Sequence, residues 1–231
     1  MPGPTWSDIH QRLKDRLIDP NNDQWSEAQL KEWYDQGSSI QHRSIIDNAA
    51  QTSRIFTEHP YLRYFKARDT SITTVANTRD YDLPAGVTVQ VVLRVQIDTP
   101  TSIKYPLRKV SIAEDARILR MPNQYGPTDE DPFYAFTTDG KIRLYLAGDA
   151  SMGFPPTWVT QVYIDYIRDV TKTTGANVDL LDPWNTGPVG YAIGIAKTLQ
   201  QIDPSPWMQE ASVAVQTIMP PPPPPQQMRG A

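Results

Sequence analysis

The sequence predicts an α+β protein, with a helical core assembled from the two ends of the chain and an antiparallel β region inserted between them. Three observations predict it. Apolar residues recur at helical spacing over roughly the first fifty positions, the period drops to two from about Ser71, and helical spacing returns after Thr174-Gly175. These changes set an N-terminal helical part at 1–66, a β domain at 67–174, a C-terminal helical part at 175–219 and a proline-rich tail at 220–231. No internal repeat is present.

The first helix is capped by Thr5, with Asp8 in its first turn and Ile9, Leu13 and Leu17 on one face. Asp19-Pro20-Asn21-Asn22-Asp23 breaks the chain. Ser26, with Gln29 three positions later, opens a second helix running to about Arg54, with Leu30, Trp33, Tyr34, Ile40, Ile45 and Ile46 as its apolar face and a bend expected at Gly37-Ser38-Ser39. Strands are predicted at Thr70–Val75, Val87–Ile97, Phe133–Thr138, Lys141–Leu146 and Trp158–Val170. In the second of these, Val87, Val89, Val91, Leu93, Val95 and Ile97 share a face. Tyr81-Asp82-Leu83-Pro84-Ala85-Gly86 reads as a turn, and Asp139-Gly140 is the strongest hairpin signal. Ser111 and Glu114 form a capping box for a short helix ending near Arg120. Gly187–Gln201 reads as a helix with Tyr191, Ile195, Thr198 and Leu199 on one stripe, and Trp207–Met219 as the last helix, carrying Met208, Val215 and Met219.

Composition excludes several functions. The chain has 231 residues, 26 acidic against 22 basic, for a net charge of -4. A protein that grips nucleic acid draws its affinity from phosphate neutralisation and carries a basic surface, so this balance suits passage of DNA better than holding it. Without cysteine there is no disulfide, thiolate metal site or thiol nucleophile. No window approaches the roughly 20 apolar residues of a membrane helix. Met1–Trp6 lacks the basic and apolar regions of a secretory signal, so none is expected.

No motif supplies catalytic chemistry. His10, His42 and His59 are scattered and read as structural. Asp129-Glu130-Asp131 offers clustered oxygens to a hard cation, but Pro127 and Pro132 make it read as a solvated loop. Gly187, Gly190 and Gly194 before Lys197-Thr198 resemble a phosphate loop only superficially. That pattern needs glycine directly before the lysine, where this chain has Ala196, and small residues within a helix serve close packing instead. No GxSxG elbow is present. No cofactor, metal or catalytic residue is expected.

Partner binding is expected near the C-terminus, at Trp207, Met208, Met219, Pro220, Pro221, Pro222, Pro223, Pro224 and Pro225. Six consecutive prolines favour a polyproline II rod of roughly 19 Å, which loses little entropy on docking. The alternative is a stiff tail without a partner. Trp25, Trp33, Trp184 and Trp207 suit either core packing or an interface.

Several segments, in order, resemble the head–tail adaptor (connector) family of tailed bacteriophages. They are Leu13–Leu17 followed by Asp19-Pro20; Trp25-Ser26-Glu27-Ala28-Gln29-Leu30; Tyr81-Asp82-Leu83-Pro84 leading into Val87–Ile97; Pro132-Phe133-Tyr134 with Asp139-Gly140-Lys141-Ile142-Arg143-Leu144; and Tyr163-Ile164 and Tyr166-Ile167 before Asp179–Pro183 and Tyr191-Ala192. The resemblance spans roughly residues 6–215. Two features fall outside it: Asp35–Gly37, where many relatives carry Asn-Ala, and the proline tract. It implies a non-enzymatic virion protein at the neck, assembled in the host cytoplasm. Its expected form is a homo-oligomeric ring, usually of twelve copies, with the portal above, the tail or a second connector protein below, and DNA passing without sequence-specific binding. Competing expectations are another tail or neck subunit, a carbohydrate-binding β module with helical flanks, and an enzyme.

Overall fold

The computed structural model describes residues 4–19, 24–51, 59–75, 78–98, 104–126, 131–146 and 161–218. In chain order the elements are α1 (Trp6–Leu17), α2 (Glu27–Gln51), α3 (Pro60–Tyr64), β1 (Lys66–Asp69), β2 (Asp80–Tyr81), β3 (Val92–Asp98), β4 (Lys104–Pro106) and β5 (Arg108–Lys109). They continue as α4 (Ile112–Arg120), α5 (Pro122–Tyr125), β6 (Phe133–Phe136), β7 (Ile142–Tyr145), β8 (Val162–Ile167), α6 (Thr186–Leu199) and α7 (Ser205–Ile218). The fold is α+β. One compact unit joins residues 1–62 with 169–231, and the other is 63–168, so the β unit begins and ends a few residues before the span 67–174.

The helical unit is built on a core that both chain ends supply. Trp6, Ile9, Leu13 and Leu17 of α1 meet Leu30, Trp33 and Tyr34 of α2 and Val189, Ala192, Ile193 and Ala196 of α6. Local signals fix the helix starts. The Thr5 backbone N–H donates to Asp8 at 2.8 Å while Asp8 N–H donates to Thr5 Oγ1 at 3.3 Å. Ser26 and Gln29 do the same for α2, at 3.0 and 3.3 Å. The buried Asp19 carboxylate accepts from the N–H groups of Gln24 and Trp25, at 3.3 and 3.1 Å, and holds the turn between α1 and α2. Gly37-Ser38-Ser39 does not interrupt α2. The serine hydroxyls donate back to the Tyr34 and Asp35 carbonyls at 2.9 and 3.0 Å, and the helix continues.

The β unit is two sheets packed face to face, with a helix on the outer face of one. The sheet orders are β1-β8-β3-β4 and β2-β7-β6-β5. Strand alternation divides the side chains. Tyr134 and Phe136 of β6 and Ile142 and Leu144 of β7 face the other sheet, where Val95, Ile97, Val162 and Ile164 complete the core. Each fully buried aliphatic side chain there stabilises by about 1.5–3 kcal/mol. Phe133, Ala135 and Tyr145 point the opposite way and pack with Val110 and Ile118, so β6 is buried on both faces. Residues 104–109 close one side of the pair. β4 runs antiparallel to β3, Leu107 N–H donates to Val95 O at 2.9 Å, and β5 then joins β6 in the second sheet.

Three strand expectations need correction. The strand expected at Thr70–Val75 is instead β1, four residues earlier in its start. Asp69 accepts from Ser71 N–H at 2.7 Å and from its hydroxyl at 2.6 Å, turning the backbone out of the ladder and leaving a single bridge at Thr73. Val87–Ile97 is not one strand. Val89–Val91 forms a 3-10 turn and a bulge lies between Val92 and Arg94, so Val92 faces the core together with Val95 and Ile97 while Leu93 leaves the expected face. Trp158–Val170 contracts to β8, with residues 158–160 outside the described residues. The sheets are antiparallel as expected, with one parallel pair, β5 with β6.

Candidate interaction surface

α6 lies between α2 and α7, and glycines set how closely it packs against both. A Cβ on Gly37 would stand 3.0 Å from the Pro188 Cα and the Tyr191 Cβ. One on Gly190 would stand 3.1 Å from the Trp207 carbonyl oxygen, and one on Gly194 2.7 Å from the Met208 methyl. The buried residues of α6 are therefore Gly187, Pro188, Val189, Gly190, Ala192, Ile193, Gly194 and Ala196. This corrects the expected stripe of Tyr191, Ile195, Thr198 and Leu199. Leu199 is 58 % exposed, because the small-residue face won the closer approach.

Trp207 and Met208, the described members of the expected partner site, are half-buried at this contact. Lys197 Nζ lies 5.7 Å from the centre of the Trp207 ring, and Met208 covers Gly194. Both therefore spend part of their surface within the chain. Met219 and Pro220, Pro221, Pro222, Pro223, Pro224 and Pro225 lie outside the described residues. α7 has no fully buried residue, and its one charged side chain, Glu210, pairs with Arg16. Its C-terminal end is held by His59, whose Nε2 donates to the Ile218 carbonyl at 2.8 Å while Nδ1 accepts from Tyr61 N–H at 3.2 Å.

Arg12, Asp15, Arg16, Asn185, Thr186 and Val189 line an open cleft of about 250 Å³ in the helical unit. Both of its arginines are ion-paired. Arg12 pairs with Asp182 at 2.7 Å, Arg16 with Glu210, and Asp15 accepts from Gln11 at 2.7 Å. The other histidines are structural contacts. His10 stacks on Trp6 at 5.6 Å, and buried His42 lies 3.2 Å from the Tyr61 hydroxyl. Tyr34 bonds to the buried Asn185 and burial pushes its hydroxyl pKa up. Gly187, Gly190, Gly194, Lys197 and Thr198 all sit inside α6, so the glycines pack helices and form no phosphate loop. Asp131 pairs with Arg108 at 2.9 Å, and Asp129 and Glu130 lie outside the described residues. Among the described residues no three His, Cys, Asp or Glu side chains gather as metal ligands.

Two charge networks of the β unit include a buried carboxylate. Arg143 grips Asp80 through Nε and Nη2 at 2.6 and 2.7 Å and reaches Asp115 of α4 at 3.0 Å, where the Tyr145 hydroxyl also donates at 2.6 Å. The Arg143 hydrogen bonds hold the Asp80 carboxyl below its usual range, against a smaller effect of burial. On the outer face of the other sheet, Arg68 Nε and Nη2 donate to the buried Asp165 at 2.6 and 3.0 Å, and Lys66 lies 3.7 Å away. Burial raises the Asp165 pKa, but the hydrogen bonds and charge of Arg68, with Lys66 and Arg94, outweigh it and leave it lowered. Both networks tie elements of the β unit together.

Sequence reading missed one surface. Ile112, Leu119, Met121 and Tyr125 of the α4–α5 segment are exposed, as are Arg117 and Arg120. Ile112, Ala116 and Leu119 share an i, i+4, i+7 spacing, while Asp115 and Ile118 are the buried residues of α4. No model of a known protein family matches this chain, and no curated protein sequence matches it.

Proposed function

We propose that the chain is a non-enzymatic adaptor subunit at the head–tail junction of a tailed bacteriophage, forming a ring beneath the portal around the DNA channel. The observation that carries the reading is the chain's organisation. A helical unit closed by both ends of the chain holds a β unit between its halves, and the segments that resemble the adaptor family follow this order through both units. The α7 helix supports the same reading. It is half-buried, carries a single charge, and leads directly into the proline tract, so it suits a surface covered on assembly.

Charge supports passage of DNA. The helical unit carries fourteen acidic against nine basic residues and the β unit twelve against thirteen. Twelve copies at -4 amount to about fifty negative charges, which repel phosphate and let DNA slide. No described helix is long and apolar enough to cross a membrane. In this reading the C-terminal segment from Trp207 onward contacts the portal, and the protein resides in the virion neck.

Mixing the purified chain with the portal of the same particle tests this by the mass of the complex. A complex of one portal ring with about twelve copies supports the proposal. A chain that stays apart from the portal at micromolar concentration contradicts it. Deleting residues 220–231 is expected to weaken portal binding, and unchanged binding removes the tail from the contact.

A further inference from the structure

We infer that the outer face of the β1-β8-β3-β4 sheet is a weak, sequence-independent contact for the phosphodiester backbone of DNA. The inference rests on the adaptor reading, in which DNA passes this chain, and names the surface that meets it. Strand register builds the face. Arg68 of β1 and Arg94 of β3 both stand opposite Asp165 of β8, the strand between them, so one row across the sheet reads Arg-Asp-Arg. Neighbouring strands lie about 4.8 Å apart, which sets the two arginine Cα atoms about 10 Å from each other. Lys66, two residues before Arg68 and on the same side of β1, adds a third cation about 7 Å along the strand.

One buried carboxylate needs one cation, and Asp165 has three around it. It is 2 % exposed, so it holds the cations from beneath and presents little charge to solvent. Arg68 neutralises it through Nε and Nη2, bonds Gln96 through Nη2 at 3.0 Å, and lies 5.8 Å from the centre of the Tyr163 ring. These contacts fix the guanidinium and leave Nη1 without a hydrogen bond among the described residues, on a side chain 39 % exposed. Lys66 is equally exposed, and Arg94 is exposed with no ion pair among the described residues. The next acid on the face is Asp98 at the end of β3, which accepts from the Tyr163 hydroxyl at 2.9 Å. Protection of a sheet edge explains a lysine on β1, but not Arg94 on a strand paired on both sides. Cations this far apart on a rigid sheet suit a chain of phosphates better than a single ion. At physiological salt charges are screened beyond about 8 Å, so the face acts through its own surplus and not through the net charge of the chain. With no more than about three phosphates met, the contact stays weak enough for DNA to slide.

Fluorescence anisotropy of a short labelled DNA duplex mixed with the full chain, over a salt series, tests this. The expected Kd is about 10–100 μM and equal for two unrelated sequences, with log K falling against log salt at a slope of about -2 to -3. Arg94→Ala and Lys66→Ala leave the Arg68–Asp165 pair in place, and each is expected to flatten that slope by about one. Arg120→Ala, an exposed cation of α4, is expected to leave it unchanged. No binding of the duplex at low salt overturns the inference and leaves the adaptor reading intact. So does an equal loss in Arg120→Ala, which would make the attraction diffuse. An unchanged slope in both Arg94→Ala and Lys66→Ala, with melting as in the wild type, also overturns it. Polyglutamate bound more tightly than the duplex, with the same dependence on Arg94, would replace DNA by an acidic protein segment as the occupant. Duplex binding that depends on these residues, in a chain that stays apart from the portal, keeps the face and rejects the adaptor reading.

Discussion

Arg143 on β7 reaches Asp115 on α4, with Nη1 3.0 Å from Oδ2, while its other guanidinium nitrogens hold Asp80 at the start of β2. One side chain thus joins a sheet edge, a central strand and a surface helix. Arg143 is only 15 % exposed in its side chain and Asp115 10 %, so removing either leaves a poorly hydrated charge behind. Arg143→Ala is expected to destabilise the β unit by about 2–4 kcal/mol. Arg143→Lys is expected to recover less than half of this, because an ammonium cannot replace the planar fork. Chemical denaturation followed by far-UV circular dichroism measures both, and equal stability of Arg143→Lys and wild type contradicts the bidentate account.

The same networks predict acid sensitivity. Asp80 and Asp165 are held below the usual carboxylate range in the folded chain. Below that range the unfolded chain binds protons that the folded chain resists, so their stabilising contribution is complete at neutral pH and is lost below about pH 4. The melting temperature is expected to fall as the pH drops through about 4, the ordinary carboxylate pKa, and to go on falling below it. Arg68→Ala should flatten that fall by releasing Asp165. An unchanged slope in this variant excludes Asp165 as a source.

Two glycine substitutions separate backbone contact from side-chain contact. Alanine favours a helix over glycine by about 1 kcal/mol. At Gly194 the obstructing atoms are the mobile end of Met208, so Gly194→Ala is expected to be close to neutral. At Gly37 the obstruction includes the Pro188 backbone, so Gly37→Ala is expected to lose about 1–3 kcal/mol by pushing α6 off α2. Thermal melting of the pair decides it, and Gly37→Ala as stable as Gly194→Ala rejects the close-packing account.

Ile18 ends α1 in the left-handed region, at φ 59° and ψ 44°, with its side chain 84 % exposed. A β-branched residue is strained there and gains almost nothing by burial. Ile18→Gly is expected to raise stability by about 1 kcal/mol, read as a higher denaturation midpoint. A lower midpoint shows that Ile18 makes a contact whose loss outweighs the relieved strain.

The parts of the fold legible in the sequence were those encoded within a few residues. Thr5 with Asp8, Ser26 with Gln29, and Ser111 with Glu114 form their capping boxes, and Gly140 takes φ 82° in the hairpin between β6 and β7. What escaped the reading depended on tertiary choice. Alternation in Val87–Ile97 cannot reveal a bulge at Val92/Arg94, because the bulge is defined against β8. The hydrophobic stripe of α6 pointed to Leu199, but the glycines on the adjoining face allow two helices nearer than large side chains do. Trp207 and Met208, expected to bind a partner, pack against α6 within the chain. The α4–α5 surface was overlooked because its apolar residues matched an ordinary amphipathic helix until Asp115 and Ile118 proved to be the buried pair.

Cryo-electron microscopy of the intact particle's neck tests the central claim most directly. The account predicts a ring of this chain stacked on the portal and coaxial with the DNA channel. Density for the chain elsewhere in the particle, or its absence from the particle, would contradict the adaptor function.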